Sequence, residues 1–196
     1  MAAEKKEPRL LEVASAAAFE RWLEKHHADT DEGVWLVLVK KKAATAKSLT
    51  YVQAVETALC FGWIDGQGKG RDDVSSLQRF TPRRKRSVWS KINVERAERL
   101  IAEGRMRPAG LAEIERAKAD GRWASAYDPP STAEVPEDFL AELEKHPKAK
   151  AFFATLNKRN TFPVVHRLQT AAKPETRAKR LAAMIEMFER GERFYD

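Results

Sequence analysis

Apolar residues recur along this chain in two rhythms, and the change from one to the other falls near Ser90. Before that point, short apolar runs are broken by glycine and lysine clusters, as strands are. Arg9-Leu-Leu-Glu-Val13 reads as a short strand, and Ser15 then caps a helix whose Phe19, Trp22 and Leu23 share one face. Asp31-Glu-Gly33 makes a turn into Val34-Trp-Leu-Val-Leu-Val39. Those six apolar residues show no polar alternation, which predicts a strand buried on both faces. Lys40-Lys-Lys42 ends it in solvent, and an Ala/Thr/Lys surface loop follows. Thr50 and Gln53 have capping-box spacing and open a helix with Val52, Val55 and Leu59 on its apolar face, ending near Gly62. Trp63-Ile-Asp65 predicts a short strand, Gly66–Asp73 a glycine-rich loop, and Ser76-Leu-Gln-Arg-Phe80 a further strand.

From Ser90 the spacing turns helical. Ile92, Val94, Ala97, Leu100 and Ile101 form one stripe stopped at Gly104, and Pro108 begins another helix through Leu111 and Ile114 to Gly121. Tyr127–Thr132 is the clearest linker. Beyond it the pattern gives helices over Pro136–Lys145, Pro147–Leu156, Phe162–Ala172 and Pro174–Arg190, the last stopped by Gly191. The pattern therefore predicts an α+β fold with a small mixed sheet and helices in the N-terminal half and a helical C-terminal half. Two regions are expected: an α+β domain over residues 1–125 and a helical region over 126–196 packed on it.

Composition narrows the class. With 196 residues, 43% hydrophobic and 33% charged, the chain reads as an ordinary globular protein of one substantial domain or two small ones. Met1–Pro8 is charged and carries no apolar run, so no secretory signal is read there, and no membrane span is expected. The single Cys60 excludes an intramolecular disulfide and suits a reducing compartment, which makes a cytoplasmic location the expectation.

Charge changes the picture more. The formal net charge is +7, from 36 Lys+Arg against 29 Asp+Glu. Six of the positive residues (Arg79, Arg83, Arg84, Lys85, Arg86 and Lys91) lie between Arg79 and Lys91 with no acid among them, so the excess is local and points to an anionic partner. Arginine forks clamp phosphate or carboxylate oxygens. Pro82 predicts that Arg83–Arg86 run extended. Phe80 and Trp89 flank the cluster, and Trp63 could wall a pocket beside it. Asp65, set among large apolar groups, reads as an ionised anchor that orients an arginine. Ser90 and Asn93 offer polar caps where the next helix starts.

Those residues support two alternative binding sites. The first is a small-anion pocket built from Trp63, Asp65, Arg79, Arg83, Arg84, Trp89 and Asn93. The second is a nucleic-acid surface using Lys69, Arg83, Arg84, Lys85, Arg86 and Lys91 against backbone phosphates. A third reading is an enzyme acting on a small anionic metabolite with Asp65 as general base, which the adjacent cations oppose. The chain therefore reads as a binding protein rather than an enzyme. Gly66–Gly70 lacks a Walker pattern, His26 and His27 are adjacent, and His146 and His166 stand alone, so neither a cofactor nor a metal is expected. Cys60 reads as an inert core thiol.

Ala58-Leu-Cys-Phe-Gly-Trp-Ile-Asp-Gly66, Leu77–Arg83, Ser87–Asn93 and Gly104-Arg-Met-Arg-Pro-Ala-Gly110 resemble the YdeI/OmpD-associated family of bacteriocin-protection proteins. Ala151-Phe-Phe153 and His166–Arg180 resemble its C-terminal helical signature, so the resemblance runs from about Phe19 to Gly191. It implies a role in antimicrobial resistance or stress response and names no catalytic residues. A local positive patch argues against direct sequestration of cationic peptides.

Overall fold

The computed structural model describes residues 9–28, 32–46 and 48–196. The charged start through Pro8, Asp31 of the expected turn and Lys47 of the expected loop lie outside them. Among the described residues the chain forms four strands and eight α-helices in an α+β arrangement. It divides into two compact units: one holds the described residues through Ser87 together with Asn93–Gly121, the other Val88–Ile92 together with Arg122–Asp196.

In the first unit, β1 (Arg9–Leu11), β2 (Val34–Val39), β3 (Trp63–Gly70) and β4 (Ser75–Pro82) make a mixed sheet in the order β1-β2-β4-β3, with β1 parallel to β2 and the other pairs antiparallel. Helices α1 (Ala16–His26) and α2 (Tyr51–Cys60) cover one face. Both start where expected: Ser15 Oγ accepts from the Ala18 amide at 3.3 Å, and Thr50 and Gln53 close a full capping box. The covered face carries Val34, Leu36, Trp63 and Phe80, all essentially excluded from solvent, with Phe80 edge-on to Phe19 at 5.7 Å and Trp63 edge-on to Trp22 at 5.9 Å. Burying side chains of this size contributes about 1.5–3 kcal/mol each.

Helices α3 (Lys91–Ala102) and α4 (Pro108–Ala119) follow. Helix α4 seats directly on the end of α2, and glycine permits it. Gly62 sits at φ +74°, and a Cβ there would stand 2.9 Å from the Ala109 carbonyl oxygen; one on Gly110 would stand 2.4 Å from that of Cys60. The motifs around Gly62 and Gly110 are thus joined by backbone contact. Cys60 is sealed beneath them, and burial pushes its thiol up to about 11, which makes it unreactive.

Three sequence expectations about the sheet and helix α3 need correction. Strand β2 is buried on one face only: Val34, Leu36 and Leu38 point in, while Trp35, Val37 and Val39 point out. The outward residues are themselves apolar, so no alternation could show. Gly66–Gly70 is not loop but the second half of β3, zipped to β4 past an irregularity between Asp65 and Gly68. The apolar stripe of α3 is also displaced: Asn93, Ala97 and Leu100 are buried, whereas Ile92 and Ile101 are 38% and 39% exposed.

In the second unit α5 (Glu137–Leu143), α6 (Pro147–Phe153), α7 (Lys158–Gln169) and α8 (Pro174–Glu189) enclose a core of Phe139, Leu143, Ala149, Val164, Leu168, Met184, Ile185 and Phe188. Helix α7 starts four residues earlier than expected, capped by Asn157, with Pro163 tolerated inside it. No helix among the described residues is long and apolar enough to cross a membrane.

Candidate nucleic-acid interface

The pleat sorts the predicted site residues before any side chain is considered. In β3 and β4, Trp63 pairs with Pro82, Asp65 with Phe80 and Ile64 with Thr81. Trp63 and Asp65 therefore share the helix-covered face with Phe80, while Arg79, one residue away from Phe80, points to the opposite face beside its partner Trp35. The expected convergence of Asp65 with Arg79 does not occur, because the sheet lies between them. Asp65 accepts instead from the Tyr51 hydroxyl at 2.5 Å, a phenol where an arginine was expected. Trp63 is core, its indole N–H donating to the His27 carbonyl at 3.1 Å.

The remaining residues separate further. Asn93 is buried, with its Oδ1 accepting from Arg96 Nη1 at 3.0 Å. Trp89 belongs to the second unit, where it is buried against Trp123 at 4.8 Å. Lys91 belongs to that unit too and pairs with Asp128 at 2.6 Å. The Lys91 ammonium and the Gln169 amide hold the Asp128 carboxyl below its usual range. Arg83 is 5% exposed, and its amide donates to the Gly62 carbonyl at 3.0 Å.

After Arg83 the chain does not stay extended. The Ser87 amide donates to the Arg84 carbonyl at 2.9 Å, and the Arg84 amide to the Ser87 hydroxyl at 2.9 Å, closing a turn. Pro82 restricts only itself and Thr81 before it, which is extended in β4, so nothing holds the following residues extended, and a serine three residues on from Arg84 offers a local partner. The turn holds Arg84, Lys85 and Arg86 exposed, and among the described residues none of the three side chains forms an ion pair.

The sheet's other face is open. The helices of this unit stack on the far side, and Leu10 and Val39 on this side are 47% and 40% exposed. Trp35 lies at its centre, half-buried. The Lys69 ammonium sits 4.4 Å from its ring centroid and the Arg79 guanidinium 5.9 Å. Arg79 is steadied by donation from Nη2 to the Glu32 carbonyl at 2.5 Å. Strand β4 ends at Pro82 and the Arg84–Arg86 turn follows it, at the same end of the sheet as Arg79. At the other end Glu12 is matched by Arg71 at 2.6 Å. Trp35 was absent from the expected site because it sat inside an apolar run that read as core.

The first unit is thus an α+β platform with one buried and one open, aromatic and cationic face. Residues 11–113, which hold Trp35, Lys69, Arg79 and the Arg84–Arg86 turn, match the family model described as a domain of unknown function (DUF8412), and with a match over more than half of its length the chain belongs to that family. Residues 132–191 match the model described as bacteriocin-protection, YdeI or OmpD-associated. That second match is confined to the C-terminal part, so the motifs of residues 58–110 that carried the wider resemblance fall within the first. No curated protein and no solved structure matches the chain.

Proposed function

We propose that this chain is a binding protein with a bacteriocin-protection or stress-related role whose N-terminal unit holds single-stranded nucleic acid across the open sheet face. The observation that carries the reading is Trp35, half-buried on an uncovered sheet and bracketed by Lys69 and Arg79. Single strands are held by bases stacked on aromatic rings and by cations along the backbone, and duplexes offer no splayed base to stack. A base that stacks on Trp35 takes the place of the Lys69 ammonium, which moves to a phosphate. Arg79 and the Arg84–Arg86 turn follow the strand beyond it. A cytoplasmic location fits this reading, and a lone, buried Cys60 suits that compartment.

The small-anion pocket is the weaker reading, since Asp65 and Arg79 lie on opposite faces of the sheet. The test is anisotropy of a labelled single-stranded oligonucleotide at rising salt. Each phosphate contact on a single strand contributes about 0.7 to the slope of log affinity against log salt. Replacing Arg84 and Arg86 by alanine lowers that slope by about 1.4. An unchanged slope removes the turn from the interface, and tighter binding to duplex than to single strand contradicts the stacking reading.

A further inference from the structure

The second unit carries a different arrangement of aromatic and basic side chains. Phe162, His166 and Thr170 recur at four-residue spacing along one side of α7 and its end. Tyr127 meets the His166 ring edge-on at 4.6 Å, and the Phe162 ring lies 5.9 Å from it. Together with Arg167, Arg180 and Tyr195 these side chains line a cleft of about 510 Å³, within the range of small-molecule sites. Arg180 Nη1 donates to the Arg167 carbonyl at 2.6 Å and to the Thr170 hydroxyl at 3.3 Å, which fixes one edge of its guanidinium. The Arg167 guanidinium rests over the Phe194 ring at 4.7 Å. Among the described residues neither arginine is matched by a carboxylate, unlike Arg177, which takes Asp138 at 2.7 Å on the same helix as Arg180. The His166 imidazole has no hydrogen-bond partner among the described residues. Burial first, then Arg180 and Arg167, hold it below its ordinary pKa, so it is neutral at pH 7.

We infer that this cleft binds a small aromatic anion: a planar ring carrying one carboxylate or phosphate group. Two guanidiniums without carboxylates supply the anion contact, bidentate in geometry. Tyr127 and Phe162 take the ring, and neutral His166 between them can donate or accept. The inference rests on the C-terminal unit alone and stands or falls independently of the sheet-face reading. An anion seated there offsets the field of Arg167 and Arg180 at His166, with Tyr127 and Tyr195 the other titratable side chains lining the cleft, so the imidazole gains a proton more easily when the site is filled.

The test uses the full chain with ¹⁵N-labelled histidine, its four imidazoles assigned with the help of His166→Gln. The probes are phenyl phosphate and benzoate, with inorganic phosphate and benzyl alcohol as the separate halves of the ligand. Phenyl phosphate, benzoate or both should shift the His166 ring signals and raise its titration midpoint, and each half alone should bind at least tenfold more weakly. Preference between the two aromatic anions tells phosphate from carboxylate. Arg180→Met and Arg167→Met should each weaken binding tenfold or more, while Arg193→Ala, which removes a charge outside the cleft, should not. Arg167→Met carries the test if loss of the α7–α8 tie unfolds the Arg180 variant. The inference is overturned if neither aromatic anion perturbs His166 at millimolar concentration, if inorganic phosphate binds as well as phenyl phosphate, or if the arginine variants bind like the parent.

Discussion

Two groups of arginines in the first unit look alike in sequence and differ in their surroundings. Around α3 and α4, Arg99 reaches Glu56 and Glu103, Arg105 reaches Glu103 at 3.2 Å, and Arg107 reaches Glu20 at 2.8 Å and Glu24 at 3.2 Å. On the open sheet face and the turn beyond it, Arg79, Arg84 and Arg86 meet an indole, a backbone carbonyl or solvent. The first group ties helices together and is neutralised where it stands. The second leaves its charge unspent: Arg79 lies beside the Trp35 ring, and Arg84 and Arg86 face solvent. An arginine therefore points to a partner only when no carboxylate of its own chain has claimed it.

The comparison is sharpest at Trp35. Trp35→Ala should lower affinity for a single-stranded oligonucleotide by about 10- to 100-fold, the equivalent of one stacked base, with little change in thermal stability because the ring is not core. Anisotropy and a thermal melt of the same sample check both halves. Equal loss of binding and stability would make Trp35 a packing residue and end the distinction. At the paired arginines the pattern should invert. Arg107→Ala removes two exposed ion pairs and a contact over the Phe61 ring, and should cost about 1 kcal/mol or less of stability while oligonucleotide affinity holds. A drop in affinity as large as that of the turn variant would erase the boundary between the two groups.

The smallest effect separates the units. In the second, His146 Nδ1 meets Glu189 at 2.7 Å and Nε2 meets Glu142 at 3.5 Å, and these carboxylates, Glu189 first, raise the imidazole's pKa above its ordinary value. A raised folded-state pKa stabilises fully below the unfolded value and loses that contribution as pH rises through the folded one. The melting-temperature gap between the parent and His146→Gln should therefore be wider at pH 6 than at pH 8.5. A gap that does not narrow would mean His146 is not charged in the folded protein.

Much of this was legible in the sequence because it is local. Ser15 and the Thr50–Gln53 box act within one helical turn, and Gly62, Gly104, Gly121 and Gly191 all sit at positive φ where helices were expected to stop. What could not be read depends on the rest of the chain. The composition of Gly66–Gly70 hides a strand that exists because β4 supplies the ladder. Asn93 lies inward on α3, its side-chain oxygen accepting from Arg96, while Ile92 is 38% exposed. The basic segment was visible as charge, but not the pleat that turns Arg79 away from Asp65 and toward Trp35. In the second unit His166 read as standing alone, because Tyr127 and Arg180 reach its cleft only through folding.

The measurement closest to the central claim is an indole N–H spectrum of the protein, with its five tryptophans assigned, recorded as a short single-stranded oligonucleotide is added. The account predicts that the Trp35 signal moves first and furthest, while those of Trp63 and Trp89, both sealed in cores, stay in place. A stationary Trp35 signal under conditions where the oligonucleotide is bound would contradict it.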